Sequence, residues 1–570
     1  MLINNTEPDS VEIVIGLVAP IGTDLESFVP NLQMELISVG YDSNVIRMSQ
    51  ILDDTIVGQP NPLPDQSSPK YYEERMSAGD KLREKFKSGD ALAAYAIAKI
   101  RKNRDSTVKG RRNQERAFAS IIRTIKHPEE VELFRLVYGS RFVLIGVSSP
   151  ELERIDHLTE LLCKQQSTFD RPEMRSLATK LIIRDEQDAE NLEYGQRVRE
   201  TFSDANAFVE ISRGLSSEQE IKRLVGLLLG RPFIAPTRQE QSMFTAWSAA
   251  FRSTAFGRQV GAALTNSAGD LIATGTNEVP APGGGEYWEG DTPDHRDFRH
   301  QADFNQQTTL QVVANMFDGL SEAGWLKDEW SEKGAGELAR TALDKSSTPA
   351  GALSGRRVRD IIEFGRIAHA EMSAISSAAR RGIPTQGATL YTTTYPCHMC
   401  GRMIINAGIE RVIYVDPYPK SMVPSMYGDM ISETWSDKNS RVIFQRFVGI
   451  APSLFPTVFS EINRSRDKSG RTNHIPMEKL RFRPAKGATM ASANILEAAV
   501  VLELGLQIEK IDMTTSYTPE WLQSTVNEAR QEIHAAPTSS WPTWIRTHYS
   551  TEEEAPPTST DDLEFPAKSE

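Results

Sequence analysis

Hydrophobic and polar residues change rhythm several times along this chain, and the changes divide it. The first clear signal is the apolar run Ile13 to Val18 in "VEIVIGLV", which breaks at "APIGTD" and passes into a segment with apolar residues at helical spacing, Phe28, Leu32 and Leu36. A short apolar run, a Gly/Pro turn and a 3.6-residue stripe read as strand, loop and helix. "RFVLIGV" (141–147) predicts a later strand, and "RIDHLTELLCKQQ" and "AENLEYGQRVRETF" predict helices between strands. Such alternation predicts an α/β domain with a parallel sheet over residues 1–232.

From about 233 to 465 the pattern differs. "SMFTAWSAAFRSTAFGRQVGAALTNSAGDLIATGTNEVP" predicts a helix, a strand from Val260 to Leu264, a turn at "NSAGD" and a second strand from Leu271 to Thr274, a hairpin with Gly269–Asp270 in its turn. "APGGGEYWEGDTPDHRDFR" is too rich in glycine and charge for a regular element and predicts a long loop near a site. Beyond it, "HAEMSAISSAARRG" predicts a helix ending at Gly382, "ATLYTTTYP" a strand, "CHMCGRMIINAG" a helix ending at Gly408, and "RVIYV" a further strand. The remainder, 466–570, holds two helical or strand-like stretches, the second with Thr518 as its expected N-cap, and ends in an acidic, Pro/Ser/Thr-rich tail (about 551–570) of the composition expected to be disordered.

Composition narrows the class. At 570 residues more than one core is required, and 25% charged with 39% hydrophobic residues is the make-up of a soluble globular protein. No apolar stretch approaches the ~20 residues of a membrane span. The N-terminus lacks a signal peptide, and three cysteines make no disulfide framework, so a cytoplasmic location is expected. The net charge of −13 argues against duplex nucleic acid as the main partner. One basic run, Lys99, Arg101, Lys102, Arg104, Lys109, Arg111, Arg112 and Arg116, reads either as a solvated helix face or as a phosphate- or RNA-binding surface.

Chemistry concentrates in the middle part. Cys397 and Cys400 stand three residues apart in the first turn of their helix, 28 and 31 residues after His369. That spacing puts both sulfurs on one side of the helix, where its N-terminal partial charge favours thiolate. One imidazole and two thiolates make three zinc ligands and leave a fourth position for water, the mark of a catalytic site. Glu371, two residues after the histidine, is placed to move that water's protons. The set H-x-E…P-C-x-x-C is the zinc deaminase signature. His398 is expected to point away from the metal, and Cys163 to be a buried apolar residue.

The first part offers weaker chemistry. Set against the phosphate-loop pattern G-x-x-x-x-G-K-[ST], "APIGTDLE" has Ala19 at the first glycine, Asp24 at the second, Leu25 at the lysine and Glu26 at the hydroxyl residue. Gly16, Gly22 and Thr23 remain candidates to cradle a regulatory nucleotide's phosphate at the helix N-terminus. A purely structural loop is the alternative. Phosphoryl transfer is not expected.

"HAEMSAI", "LYTTTYPCHMCGRMIINAGIERVIYV" and "GTNEVP" resemble the deoxycytidylate deaminase branch of the cytidine deaminase fold. With "HPEEVELFRLVYGSRFVLIGV", "MFTAWSAAFRSTAFGRQVGAAL", "NEVPAPGGGEYW" and "VDPYPKS", the likeness extends to bacterial phage-defence deoxycytidine nucleotide deaminases over roughly residues 10 to 460. The resemblance implies a degenerate P-loop-kinase-like domain followed by a three-layer α/β/α deaminase domain. It implies zinc-dependent deamination of dCTP, dCMP or both, drained from the pool during phage replication. It further implies a homo-oligomer and, in some members, inhibition by a small RNA. Carried over by position, Asn277 would contact the sugar 3′-hydroxyl, and Arg258 and Lys420 are candidate phosphate contacts. Arg258 could equally brace a strand, and Lys420 end one. Two other functions use the same motif: deamination of a base within RNA or single-stranded DNA, and a nucleotide-sensing regulator with a mainly structural deaminase fold.

Overall fold

The computed structural model describes residues 12–55, 63–65, 67–68, 70–110, 117–168, 170–187, 194–212, 217–346, 350–418, 420–433, 437, 440–460, 469, 471, 476, 480–482, 490–511 and 519–535. It is a mixed α/β protein of two compact units, Met1–Ala235 with Val448–Glu570, and Pro236–Phe447. Among the described residues no helix is long and apolar enough to cross a membrane.

The first unit is built on parallel strands β1 (Glu12–Val18), β2 (Tyr41–Arg47), β3 (Ala117–Arg123), β4 (Phe142–Ser148) and β5 (Ala207–Glu210), in the order β2-β3-β1-β4-β5. β1 is central and buried along its whole length, which explains why it reads as an unbroken apolar run. Ile13, Ile15 and Leu17 pack in one core with Phe28, Leu32 and Leu36 of the following helix, Leu25–Ser38. Asp24 caps that helix, its Oδ1 accepting from Ser27 N at 3.1 Å. The residue standing at the second glycine of the phosphate-loop pattern is thus a helix cap.

The sequence pattern assigns 448–465 to the middle part and treats 466–570 separately; the contacts differ. Strand β12 (Gly449–Ile450) pairs antiparallel with β5 and covers its open edge, so the chain returns to the first unit at Val448. Helices Met490–Ile511 and Glu520–Ala535 pack against each other and against helix Ala91–Gly110. Arg104 links them, bonding Glu12 at 2.8 Å and the buried Glu497 at 2.6 Å. Arg101 pairs with Glu532, and Lys99 and Lys102 lie over the Trp521 ring at 5.5 and 5.2 Å. Arg101 and Arg104 of the basic run are therefore engaged within the protein, while Lys102 remains exposed. Arg111, Arg112, Arg116 and the Lys109 side chain lie outside the described residues, as do Thr518 and the acidic tail.

In the second unit, β6 (Gly261–Thr265) and β7 (Leu271–Thr276) form the expected hairpin, with Gly269 at φ +92° in its turn. β8 (Thr389–Thr394), β9 (Arg411–Asp416), β10 (Ile431–Ser432) and β11 (Val442–Arg446) complete a sheet of order β10-β11-β9-β8-β6-β7. β8 and β9 are parallel and need a crossover, which helix His398–Asn406 supplies. Helices cover both faces. A Cβ on Gly261 would stand 1.9 Å from Ala246 O in helix Arg238–Ala250, whereas one on Gly275 would stand 2.1 Å from Ala370 O in helix Ala370–Arg380. Gly275 pairs with Ala262, the neighbour of Gly261, so the two helices lie on opposite faces of the sheet. The result is three layers, α/β/α.

Gly275 lets helix Ala370–Arg380 approach β7 closely. Gly275→Ala is expected to destabilise the protein by about 1–3 kcal/mol in denaturant unfolding through overpacking. Gly257→Ala, where an added Cβ meets nothing within 4 Å, is the control expected to change little.

Candidate functional site

Two helices begin at the same place. His369 is the N-cap of helix Ala370–Arg380 and Cys397 the N-cap of helix His398–Asn406, both with extended backbone, and neither side chain caps its own helix. An N-cap side chain ordinarily accepts from its helix's first turn; these two turn to each other. Cys397 Sγ lies 3.2 Å and Cys400 Sγ 3.4 Å from His369 Nδ1. All three donor atoms fall within 4.8 Å of one another. Bonds of about 2.0 Å to nitrogen and 2.3 Å to sulfur, meeting at a tetrahedral angle, put the two atoms about 3.5 Å apart. The donor set and its spacing therefore fit zinc.

Glu371 is buried at 4% exposure in the first turn of its helix. Its Oε2 accepts from Cys400 Sγ at 3.4 Å, so the carboxylate adjoins the cluster through one of the thiols. Burial pushes its carboxyl above the ordinary range, only partly offset by His369. Cys397 is drawn down to about 4, first by the hydrogen bond from Cys400 and then, against burial, by His369. Burial pushes Cys400 up, and it opposes charge on His369, which the Cys397 hydrogen bond nevertheless raises. The cluster thus favours thiolate on Cys397, with His369 as its partner. His398, between the two cysteines, reaches Glu363 at 3.3 Å instead. Cys163 is half-buried, packed against an apolar cluster of the first unit.

The other sequence candidates have partners of their own. Asn277 Oδ1 accepts from Val260 N at 2.7 Å and its Nδ2 donates to Arg258 O at 2.9 Å, tying the start of β6 to the end of β7. One further hydrogen and one lone pair remain for a ligand. Arg258 is exposed and pairs with Asp416 at 3.2 Å; Lys420 pairs with Asp360 at 2.6 Å. The Glu286–Arg299 loop is organised about the buried Arg296, which binds Asp294 at 2.8 Å and Glu289 at 3.0 Å.

Sequence reasoning passed over Glu278. It is 1% exposed, and its Oε2 accepts from Thr254 N at 2.8 Å and Thr254 Oγ1 at 2.6 Å. Its backbone bridges to Ala368, directly before His369. A carboxylate in the apolar-flanked "NEVP" was the available signal.

In the first unit, Gly16 is glycine for packing: a Cβ would meet Ile125 Cδ1 at 2.7 Å and the Phe142 ring at 2.8 Å. Gly22 has φ +89°, and its Cβ would press on Arg154 O at 2.6 Å. Ile21 N in the same loop donates to Asp185 Oδ2 at 2.7 Å, while Lys126 Nζ holds the other oxygen at 2.7 Å. A carboxylate of the chain itself thus occupies this part of the candidate phosphate cradle.

Residues 236–416 match the family described as the cytidine and deoxycytidylate deaminase zinc-binding region, so the second unit carries a deaminase-type domain. The chain is 49% identical over 53 residues to ComE operon protein 2 of Bacillus subtilis (strain 168) and 43% identical over 53 residues to the deoxycytidylate deaminase of Enterobacteria phage T4. In each case 9% of this chain and 28% of the relative are covered. It is also 28% identical over 158 residues to the tRNA-specific adenosine deaminase of Bacillus subtilis (strain 168), covering 26% of this chain and 97% of that protein. The chain thus spans 28% of the length of the first two relatives.

Purified protein is expected to hold one zinc per chain by atomic absorption. His369→Ala, Cys397→Ala and Cys400→Ala should each lose it, and Cys163→Ala should not.

Proposed function

We propose that the chain is a zinc-dependent deaminase that hydrolyses deoxycytidine nucleotides, dCTP or dCMP, to deoxyuridine nucleotides. The observation that carries this reading is the buried Glu371 carboxylate next to the His369–Cys397–Cys400 cluster. Zinc held by those three residues would supply the Lewis acidity that brings the pKa of water toward neutrality. Glu371 then accepts the attacking water's proton as oxygen bonds to ring C4, and delivers it to N3. It carries the second proton to the amino group as the C4–N bond breaks and ammonia leaves. Water and a 4-aminopyrimidine become a 4-oxopyrimidine and ammonia.

Asn277 is proposed to offer its remaining hydrogen-bonding capacity to the sugar. For Arg258 or Lys420 to bind phosphate, the substrate would have to draw them from Asp416 and Asp360. The first unit is proposed to be regulatory, binding a nucleotide without transferring phosphate, because the loop lacks a lysine and hydroxyl at the places that would neutralise charge and hold magnesium. Draining dCTP during phage replication is the role that the resemblance of the flanking segments supports.

A second reading has one observation in its favour: the tRNA-specific adenosine deaminase aligns over 97% of its own length. On that reading the substrate is a base within a polymer. Turnover should be measured against dCTP, dCMP, dCDP, CTP and cytidine, and against single-stranded oligonucleotides. Deoxycytidine nucleotides are expected to be deaminated, with Glu371→Gln about 10²–10⁴-fold slower and its zinc retained. Deamination of oligonucleotides alone would favour the polymer reading, and an equally active Glu371→Gln protein would remove the proposed mechanism.

A further inference from the structure

A cavity of about 230 Å³ opens in the first unit at the carboxyl ends of β1, β2 and β3. The chain leaves β1 past β3 to reach β2, then leaves β3 across β1 to reach β4, so successive connections run in opposite directions here. In open parallel sheets such a reversal leaves a crevice where ligands bind.

The lining has two characters. Tyr71, Tyr72, Leu52, Met76 and Leu158 provide apolar and aromatic wall. Its charged lining residues are Arg47, Arg75, Arg83, Arg123 and Lys126 with Glu26 and Asp185, of which Arg75 is paired with Asp53 and Arg83 with Asp80 and Glu130. Two buried polar atoms in the lining, Gln196 Oε1 and Thr23 Oγ1, have no partner among the described residues, and Gln196 is only 6% exposed. A buried acceptor left unpaired is destabilising, and a bound donor would recover that cost.

Glu26 is the revealing residue. Its exposed side chain is held between Arg123 at 2.9 Å and Arg47 at 3.2 Å. The Arg123 hydrogen bond, with Arg47, keeps its carboxyl below the usual range. Two arginines at the ends of neighbouring strands thus grip a surface carboxylate that ligand phosphate could replace. Asp185 already takes the Ile21 N–H and the Lys126 ammonium, so little of the loop is left for a polyphosphate chain.

We propose that this cavity binds a mononucleotide, its base on the Tyr72 and apolar side and its phosphate exchanging for Glu26 between Arg47 and Arg123. Thr23 and Gln196 meet the polar edge of the base or sugar. The site binds and does not transfer phosphate. The inference deepens the proposal of a regulatory first unit and rests on it, but not on the deaminase chemistry.

The test is calorimetric titration of the full chain with dTMP, dAMP and dGMP, none of which carries the cytosine amine, and with inorganic phosphate. At least one mononucleotide is expected to saturate one site per chain. Arg123→Ala should weaken it about tenfold or more, the worth of a charge-assisted hydrogen bond, and Glu26→Gln should tighten it. Should Arg123→Ala fail to fold, Arg47→Ala and Gln196→Ala carry the same expectation of weaker binding. Absence of binding by all three nucleotides, affinity indifferent to these substitutions, or phosphate binding as tightly as the nucleotides would each overturn the proposal. Arg123-dependent binding without any cytosine turnover would mean that the deaminase reading has failed and this one stands. Turnover without nucleotide binding would mean the reverse.

Discussion

Two helix N-termini meeting at one buried point is the constraint on which the second unit depends. His369 and Cys397 both occupy N-caps, and Cys400 follows one turn later. An imidazole, two thiols and the Glu371 carboxyl are thereby gathered where burial alone would oppose every charge they carry. Such a group persists when its charges are shared, and a divalent cation would complete the sharing. The rest of the unit serves this placement. Gly275 brings helix Ala370–Arg380 onto β7, the β8–β9 crossover delivers the cysteines, and Glu278 braces the backbone that enters His369.

The first unit follows a different economy of charge. Its loop resembles a phosphate cradle in position but not in content, because Asp185 and Glu26 stand in or near it. Glu26 is paired there with Arg47 and Arg123, and Asp185 with Lys126. Arg104, bridging Glu12 in β1 to Glu497 in the C-terminal segment, fastens the returning chain to the same sheet.

Much of this was legible in the sequence because it rests on local pattern. β1 reads as a strand since every residue of it is buried, the hairpin at Gly269 reads from its turn, and the motif from His369 to Cys400 reads from spacing. What was not legible depends on pairing across distance. The return of the chain to β5 at Gly449, the engagement of Arg101 and Arg104 with Glu532, Glu12 and Glu497, and the Asp185 carboxylate in the loop all join residues far apart in sequence. Asn277, Arg258 and Lys420 were singled out through the resemblance, but their present partners, Val260, Asp416 and Asp360, were not legible. Glu278 sits in a segment whose likeness was noticed, yet its role as a brace needs the bridge to Ala368, which only the folded chain shows.

The central claim is hydrolysis of a deoxycytidine nucleotide by water that Glu371 deprotonates. It is tested most directly by incubating the full chain with dCTP and with dCMP in ¹⁸O-labelled water and analysing the products by mass spectrometry. The account predicts a deoxyuridine nucleotide carrying one labelled oxygen on the ring, with one ammonia released per product, and the same product formed about 10²–10⁴-fold more slowly by Glu371→Gln. A zinc-loaded protein that forms no product from either nucleotide, or a product without the label, would contradict it.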